Sequence, residues 1–162
     1  MTIETVKLSW TDAANIIVGQ SHFIKTIEDI GEIMASSVPG AKWGLAFNEA
    51  SEPRLVRHEG TDPALESQAI ECARASGAGH TFYLIIAAGY WPINVLDRIK
   101  ACPEVCHIFA ATANALSLVV GREGDSAGIL GVLDGGSPRG VEGPEEKAER
   151  IGLLRRIGYK FG

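Results

Sequence analysis

The stretch Thr81-Phe-Tyr-Leu-Ile-Ile-Ala-Ala88 decides the fold of this chain of 162 residues. It places two aromatic and three aliphatic side chains in succession, without the alternation of polar and apolar residues that is typical of a half-buried strand. A strand of this composition is usually covered by other elements on both faces. We therefore expect it at the centre of a β-sheet.

Helix and strand patterns follow on both sides of this stretch. Asp62 and Pro63 form an N-cap and first-turn pair and Gly77 is a typical stop, so a helix is predicted between them. Apolar spacing and end signals predict three more helices: residues 23–34 with Ser21 as the cap, a short one after Pro92, and residues 144–157. Strands are predicted at residues 3–8, 43–47, 54–58, 105–112, 116–120 and 129–133.

The order of these elements predicts an α/β or α+β layered domain, in which a mixed β-sheet is packed with about four helices. The length fits a single domain over residues 1–162. The chain has no P-loop of the form G-x-x-x-x-G-K-S/T and no G-x-G-x-x-G that opens a helix. If this protein binds nucleotides, it does so without the common phosphate-binding loops.

Composition and charge disfavour several classes of function. Fifteen basic and 20 acidic side chains give a net charge of −5, the opposite sign from a surface that binds a nucleic-acid backbone. The start MTIETVKLSW lacks a basic segment followed by an apolar one, and no apolar stretch is long enough to span a bilayer. Three cysteines, an odd number, indicate reduced thiols. We therefore expect a cytoplasmic protein with neither a nucleic-acid nor a membrane partner.

The glycine-rich loop Asp134-Gly-Gly-Ser-Pro-Arg-Gly140 follows an apolar strand and is one candidate site. If that strand belongs to an open α/β sheet, its carboxyl end is where ligands bind. Asp134 would then hold Mg²⁺, while glycine amides and Arg139 would meet phosphate oxygens. The alternative is a plain surface turn, since Asp-Gly and Ser-Pro are ordinary turn dipeptides.

Two further glycine turns carry histidines. In Gly77-Ala-Gly-His80, a neutral imidazole on a cramped turn would act as a base or as a phosphoryl acceptor. In Gly19-Gln-Ser-His22, either the amides of the following helix attract an anion or Ser21 simply caps that helix. A helix-to-strand turn lies at the amino end of its strand, so His80 and Asp134 need not share a site unless the strand runs antiparallel or another subunit contributes.

The segment Cys102-Pro-Glu-Val-Cys106-His107 does not fit the common metal motifs. Three residues separate the cysteines, whereas haem attachment needs two. Positions four apart on a strand lie roughly 13 Å apart, too far for one metal ion. Alternation places Cys106 and His107 on opposite faces. We therefore expect these cysteines to be small buried hydrophobic residues, and no zinc site.

Five short motifs, in order along nearly the whole chain, together resemble the adenosine-specific kinase family of archaea and bacteria. They are Gly19-Gln-Ser-His-Phe-Ile24, Gly77-Ala-Gly-His80, Pro92-Ile-Asn-Val-Leu96, Ala111-Thr-Ala-Asn114 and Gly128-Ile-Leu-Gly-Val-Leu-Asp-Gly135. The chain departs from the family at Asn48 and Glu52, where Cys and Gly are common. The departure puts a ligand role for Asn48 in doubt, whereas Glu49 remains a candidate nucleotide-binding residue.

The resemblance implies a small α/β homotrimer that binds adenosine or adenine nucleotides and acts as a phosphotransferase. ATP is then the expected phosphate donor and Mg²⁺ the expected cofactor. His80 is the expected catalytic residue, as a phosphohistidine relay or as a base, together with Asp134 as the magnesium ligand. The nucleotide-binding residues expected from the motifs and the glycine-rich loop are Gln20, His22, Glu49, Asn94, Asn114, Gly135, Gly136, Ser137 and Arg139.

Two other functions remain open from the sequence. A non-catalytic sensor would hold adenine nucleotides in the same pockets at subunit interfaces and would act by binding a partner. Such a protein binds tightly without turnover. A trimeric scaffold, in which the glycines only shape turns, would show no thermal shift with any adenine compound.

Overall fold

Eight strands and four helices make up the chain, and the computed structural model describes residues 1–162. The strands are β1 (Thr2–Lys7), β2 (Asn15–Ser21), β3 (Trp43–Asn48), β4 (Val56–Gly60), β5 (Thr81–Ile86), β6 (Val105–Thr112), β7 (Leu116–Glu123) and β8 (Ser126–Asp134). The helices are α1 (Thr26–Ser37), α2 (Pro63–Ser76), α3 (Leu96–Lys100), preceded by a 3₁₀ turn at Pro92–Asn94, and α4 (Pro144–Arg156). Each predicted helix and strand is present, with shifted ends.

The larger sheet has five strands in the order β4-β3-β5-β2-β6, so β5 is its central strand. All six residues of β5 are buried. Tyr83 and Ile85 face one core, whereas Phe82, Leu84 and Ile86 face the other. The prediction of a central strand covered on both faces is confirmed. Burial of side chains of this size contributes about 1.5–3 kcal/mol each, which makes β5 the strongest anchor of the fold.

Different elements cover the two faces of this sheet. One face packs against α2 and against the smaller sheet, whose strand order is β1-β7-β8. The other face packs against α1 and α3, through residues such as Ile30, Met34 and Ile99. The layered α/β or α+β architecture with four helices is thereby confirmed. The strands form two sheets, and all neighbouring strands are antiparallel.

Helix α2 has both of the predicted end signals. The Asp62 carboxylate accepts hydrogen bonds from the backbone amides of Ala64 and Leu65, at 3.0 and 3.1 Å, which are two of the helix's unpaired donors. Gly77 ends the helix with a φ of 59°, a left-handed conformation that glycine adopts without a steric penalty. Because Gly77 turns the chain back at once, β5 begins only a few residues later.

The predicted cap of helix α1 is wrong. Ser21 is the last residue of β2 and is fully buried, and the helix begins at Thr26 after an intervening turn. The Ser21 hydroxyl instead contacts that of Thr26, which in turn donates to the Phe23 carbonyl at 2.7 Å. The spacing of residues along the chain could not show this, because Ser21 is held in β2 by pairing with distant parts of the sheet.

The cysteines of the 102–107 segment are not both buried hydrophobic residues, which corrects that prediction. Cys102 is partly buried and Cys106 is exposed, whereas Cys72, on α2, is buried. Strand β6 lies at the edge of its sheet, so the first residues of the strand, including Cys106 and His107, face solvent.

Helix α4 lies outside both cores and has no buried residue. Several large apolar side chains of β8, of α4 and of the segments that adjoin this helix are exposed: Leu130, Leu133, Val141, Ile151, Leu153, Ile157 and Phe161. Exposed apolar side chains in this number, on one part of a chain, mark an interaction surface. No helix of the chain has the length and apolar character needed to cross a bilayer.

Candidate functional site

His80 occupies the turn between α2 and β5 and is held there by bonds to two other strands. Its amide donates to the carbonyl oxygen of Asn48 at 2.7 Å, and its carbonyl accepts from the amide of Ser21 at 2.8 Å. Its φ of 60° is left-handed, a conformation that costs a residue with a side chain roughly 1–2 kcal/mol. The half-buried imidazole stacks on Phe47 at a centroid distance of 6.0 Å.

Asn48 fixes the turn that carries His80, and this role was not expected from the sequence. Its buried amide Nδ2 donates to the carbonyl oxygens of Ala73 at 2.8 Å and Ala78 at 3.0 Å. These carbonyls lie at the end of α2 and in the glycine turn. Asn48 therefore ties the end of β3 to the turn from both its side chain and its backbone. A lone Asn before a polar loop gives no sequence signal for such a contact.

A cleft of about 750 Å³ opens beside the His80 turn. Gly79, next to His80, lines the cleft on one side, and the loop 125–127 lines it on another. This volume lies within the range of small-molecule binding sites and is sufficient for a nucleoside. The charged side chains that line the cleft are Glu49, Glu52, Arg54, Arg74 and Asp125.

Glu49, an expected nucleotide-binding residue, is already engaged by protein donors. Its carboxylate accepts from the Leu55 amide at 3.1 Å and from the Arg57 guanidinium at 3.0 Å. The bond from Leu55 and the charge and hydrogen bonds of Arg57 lower the pKa of Glu49 from its ordinary value. The group is therefore a fixed anion that shapes the cleft wall and is poorly suited to act as a proton acceptor.

A second cleft, of about 670 Å³, adjoins the first and shares Leu55 and Val56 with it. Its wall combines the exposed apolar side chains of Phe23 and Ile24 with the charged side chains of Lys25, Arg57 and Glu28, and His58 also lines it. An aromatic and aliphatic surface beside positive charge suits a ligand with a flat base and an anionic group.

Gln20 and His22 lie at the same end of the sheet as His80. Gln20 is exposed near the end of β2, and His22 follows the strand. The His22 ring stacks on Phe23, which lines the second cleft, at a centroid distance of 6.0 Å. Since Ser21 bonds to His80, the strand end brings His22 into the neighbourhood of the His80 turn.

Asp134 ends strand β8 and is exposed. Its Oδ1 accepts from the Thr112 hydroxyl at 2.8 Å and from the Asn114 amide at 3.2 Å, which leaves Oδ2 without a protein donor. The next residue, Gly135, donates its amide to Ala115 at 2.9 Å. The expected residues Asn114, Asp134 and Gly135 therefore lie together.

The remaining expected residues lie near this second group. Gly136, Ser137 and Arg139 are exposed in the loop after Asp134. Asn94 accepts a hydrogen bond from the Trp91 amide at 3.0 Å, so its side chain holds the 3₁₀ turn. A cleft of about 520 Å³, lined by Trp91 and Tyr159, lies at this end of the sheet.

The two groups of expected residues occupy opposite ends of the five-stranded sheet. Strands β5 and β6 point the same way, because both are antiparallel to β2. His80 lies at the start of β5, whereas Asp134 is bonded to Thr112 at the end of β6. Six or seven residues of strand, at about 3.3 Å each, separate the two ends by roughly 20 Å. His80 and Asp134 therefore do not meet within one chain.

Comparison with known proteins identifies the family. A family model described as adenosine specific kinase matches residues 6–160. The chain belongs to the adenosine specific kinase family. A search of curated proteins found no match.

A solved structure has the same fold as this member of the adenosine specific kinase family. The crystal structure of the PH1918 protein from Pyrococcus horikoshii OT3 is 37% identical in sequence and has a TM-score of 0.93. The match covers 99% of each chain, so neither protein has a whole strand or helix that the other lacks.

The resemblance leads us to expect Mg²⁺, and two carboxylates are candidates to hold the ion. Mg²⁺ in such sites takes one or two carboxylates together with waters and substrate phosphates. Asp134 fits this pattern as a single ligand, because Oδ2 is free and glycine amides follow it. Glu49 fits poorly, because Arg57 and Leu55 occupy its oxygens.

Proposed function

We propose that this protein binds adenosine and adenine nucleotides and transfers a phosphoryl group from ATP to adenosine, with His80 as the acceptor or the base. The observation that carries the proposal is the conformation of His80. His80 is held in a strained, left-handed turn by two strands, and its neighbour Gly79 lines a cleft of about 750 Å³; such strain is typical of functional sites. Membership of the adenosine specific kinase family supports adenosine as the substrate.

Two routes use the imidazole. In the relay, an imidazole nitrogen attacks the γ-phosphorus of ATP, the bond to the bridging oxygen breaks, and ADP leaves. The 5′-oxygen of adenosine then attacks the phosphorus, the nitrogen–phosphorus bond breaks, and the hydroxyl proton passes to the imidazole and to solvent. In the direct route, His80 takes the hydroxyl proton while the 5′-oxygen attacks ATP. Both routes convert ATP and adenosine into ADP, AMP and a proton.

The expected phosphate and magnesium groups reach His80 in this proposal only from another copy of the chain. Asp134, from which the loop with Ser137 and Arg139 extends, lies roughly 20 Å from His80 in one chain. The uncovered apolar side chains of β8 and α4 flank the Asp134 loop, so association through them would place that loop against a neighbour. A head-to-tail contact that closes into a ring gives the homotrimer, with a mass of about three times the 17.2 kDa of one chain.

When bound, Mg²⁺ would neutralise charge on the transferred phosphoryl group. Asp134 would hold the ion through Oδ2 and Arg139 would bind phosphate oxygens, whereas the apolar wall near Phe23 would take the base. Gln20 and His22 stand beside that wall and would orient the nucleoside. Asn94 contributes by holding the 3₁₀ turn, and Asn114 by donating a hydrogen bond to the Asp134 carboxylate.

The separation of His80 from Asp134 favours one second candidate, a non-catalytic sensor of adenine nucleotides. If no other copy brings the two groups together, the clefts still provide surfaces for a base and for phosphate. Binding would then occur without transfer, and the output would be contact with a partner.

Incubation of the pure protein with Mg²⁺, ATP and adenosine tests the proposal. The products are separated by chromatography and the intact protein is weighed by mass spectrometry in the same sample. Repeated turnover to AMP establishes a kinase, and a phosphate adduct that moves to adenosine establishes the relay. Bound adenosine without product or adduct would support the sensor instead.

The variant His80→Asn tests whether the chemistry depends on the His80 imidazole. Asn is chosen because it tolerates the left-handed backbone better than Ala does. We expect loss of transfer with adenosine binding retained. The matched control is His107→Asn, at an exposed edge-strand histidine. Full transfer by His80→Asn would remove His80 from the mechanism.

A further inference from the structure

Glu104 lies just before β6 and is 3% exposed, yet neither of its carboxylate oxygens has a hydrogen-bond partner. A buried carboxylate is strongly unfavourable unless a partner such as a cation satisfies it. The backbone carbonyl of Glu104 is bonded to the amide of His22, which fixes this segment against the end of β2. The backbone that carries the Glu104 side chain is therefore held in place.

Two other metal-binding side chains face the Glu104 carboxylate. Asp29, on α1, and Cys102, after α3, offer ligand atoms that all lie within 4.8 Å of one another and of Glu104. The three residues come from two separate parts of the fold, helix α1 and the connection between α3 and β6. Cys106 and His107, the other donors of this segment, do not belong to the cluster.

Lys25 does not complete the cluster. Its ammonium forms an ion pair with Asp29, and its side chain is 51% exposed. The hydrogen bond that Lys25 donates to Asp29, and more weakly the charge of Glu104, raise the pKa of Lys25 from its ordinary value. The carboxylates thus attract positive charge at this point, but Lys25 gives no hydrogen bond to Glu104.

We propose that Asp29, Cys102 and Glu104 form a binding site for one divalent transition-metal ion of the zinc type. A thiolate with two carboxylates suits Zn²⁺ or Co²⁺, whereas Mg²⁺ and Ca²⁺ take oxygen ligands only. Three protein ligands leave a fourth position for water or a ligand oxygen.

The geometry requires only small side-chain movements. Around a tetrahedral ion with bonds of about 2.0–2.3 Å, ligand atoms stand roughly 3.3–3.8 Å apart, so the present atoms need to approach by about 1 Å. Cys102 would give up its weak bond to the Arg98 carbonyl, at 3.6 Å, and Asp29 would exchange Lys25 for the ion. The ion would link α1 to the connection between α3 and β6.

Titration of the chelator-treated full chain with Co²⁺ tests the site directly. Cobalt bound by a thiolate absorbs through a sulfur-to-metal transition, and its visible bands report the coordination number. We expect one Co²⁺ ion to bind per chain and to give the thiolate band. Added Zn²⁺ is expected to displace the Co²⁺ and remove the band. Absence of a stoichiometric thiolate band would overturn the proposal.

Matched variants separate this site from nonspecific binding. Cys102→Ser is expected to abolish the thiolate band, whereas the control Cys106→Ser, four residues away and exposed, is expected to keep it. Glu104→Gln is expected to weaken Zn²⁺ binding by at least about tenfold. Should Glu104→Gln not fold, Asp29→Asn, at a partly exposed helix position, is expected to give the same loss. Binding that follows Cys106, or that survives in the folded Glu104 or Asp29 variant, would refute the assignment.

Discussion

His80 and Asp134 stand at opposite ends of the same five-stranded sheet, at the beginning of β5 and beside the end of β6 respectively. The antiparallel order of β5, β2 and β6 fixes this arrangement, because it makes β5 and β6 point the same way. A mechanism that uses both residues therefore needs two copies of the chain. This relationship is the basis of the proposed assembly.

The left-handed backbone at His80 predicts an unusual order of stability among variants. His80→Val should unfold more easily than the wild type by about 1–2 kcal/mol, because a β-branched side chain is strained at a φ of 60°. His80→Gly should stay within about 1 kcal/mol of the wild type, since glycine relieves the strain but has more entropy to lose. Urea unfolding of both variants checks this, and equal losses for Val and Gly would contradict it.

Substitution of Asn48 should damage both stability and the His80 turn. Asn48→Ala removes the hydrogen bonds to the buried carbonyls of Ala73 and Ala78, at a cost of about 0.5–1.5 kcal/mol for each bond, while both carbonyls keep another donor. The amide exchange of His80, whose N–H bonds to the Asn48 carbonyl, should also quicken. Hydrogen exchange and urea unfolding measure the two effects, and a variant with native protection at His80 would show that the turn does not depend on Asn48.

Strand β3 passes so close to helix α2 that Gly44 admits no side chain. An added Cβ would stand 2.1 Å from the backbone nitrogen of Glu66 and 2.2 Å from the carbonyl carbon of Leu65. Gly44→Ala should therefore destabilise the protein by about 3 kcal/mol or more, because the backbone of the helix must move. The control Gly128→Ala, in a strand with open space around the glycine, should have a small effect. Similar melting temperatures for the two variants would contradict this contact.

Cys72 predicts a loss of stability in alkaline solution. Burial raises the pKa of its thiol from 9.0 to about 11, so the unfolded chain releases this proton at a lower pH than the folded chain. The free energy of unfolding should fall as pH rises from 9.0 towards about 11, by up to about 1.4 kcal/mol per pH unit.

Cys72→Ala should remove the contribution of Cys72 to the fall of the unfolding free energy with pH. The contribution of Tyr83, whose pKa burial raises to about 12, should remain. Urea unfolding at about pH 8 and about pH 10.5 measures the difference between the two proteins. A cavity left by the substitution lowers the free energy of unfolding equally at both pH values, so it does not affect the difference between them. An identical pH dependence in the variant and the wild type would contradict the assignment to Cys72.

The central elements were predictable from the sequence because their signals are local. The apolar run of β5 and the Asp62, Pro63 and Gly77 signals of α2 depend on neighbours along the chain. Strand pairing depends on distant residues, so the division into two antiparallel sheets was not predicted. The wrong cap at Ser21 has the same cause, because the sheet retains that residue as its last strand position.

The candidate site was predictable only in part. The glycine turns identified His80 and Asp134, but no sequence spacing shows that a sheet separates them. A ligand role for Asn48 was in doubt, yet its contacts with the end of α2 support the His80 turn. The grouping of Glu104 with Asp29 and Cys102 also depends on packing, because α1 lies far from the other two residues in sequence.

The measurement that tests the central claim most directly is complementation between two inactive variants. His80→Asn and Asp134→Asn are prepared separately, then unfolded and refolded together, and mixed oligomers are verified by native mass spectrometry. Each variant alone should form no AMP from ATP and adenosine. In a mixed ring, a chain with intact His80 meets a neighbour with intact Asp134 at roughly a quarter of the interfaces, so we predict roughly a quarter of the wild-type rate. Verified mixed oligomers that stay inactive, beside an active wild type treated in the same way, would contradict a site shared between copies.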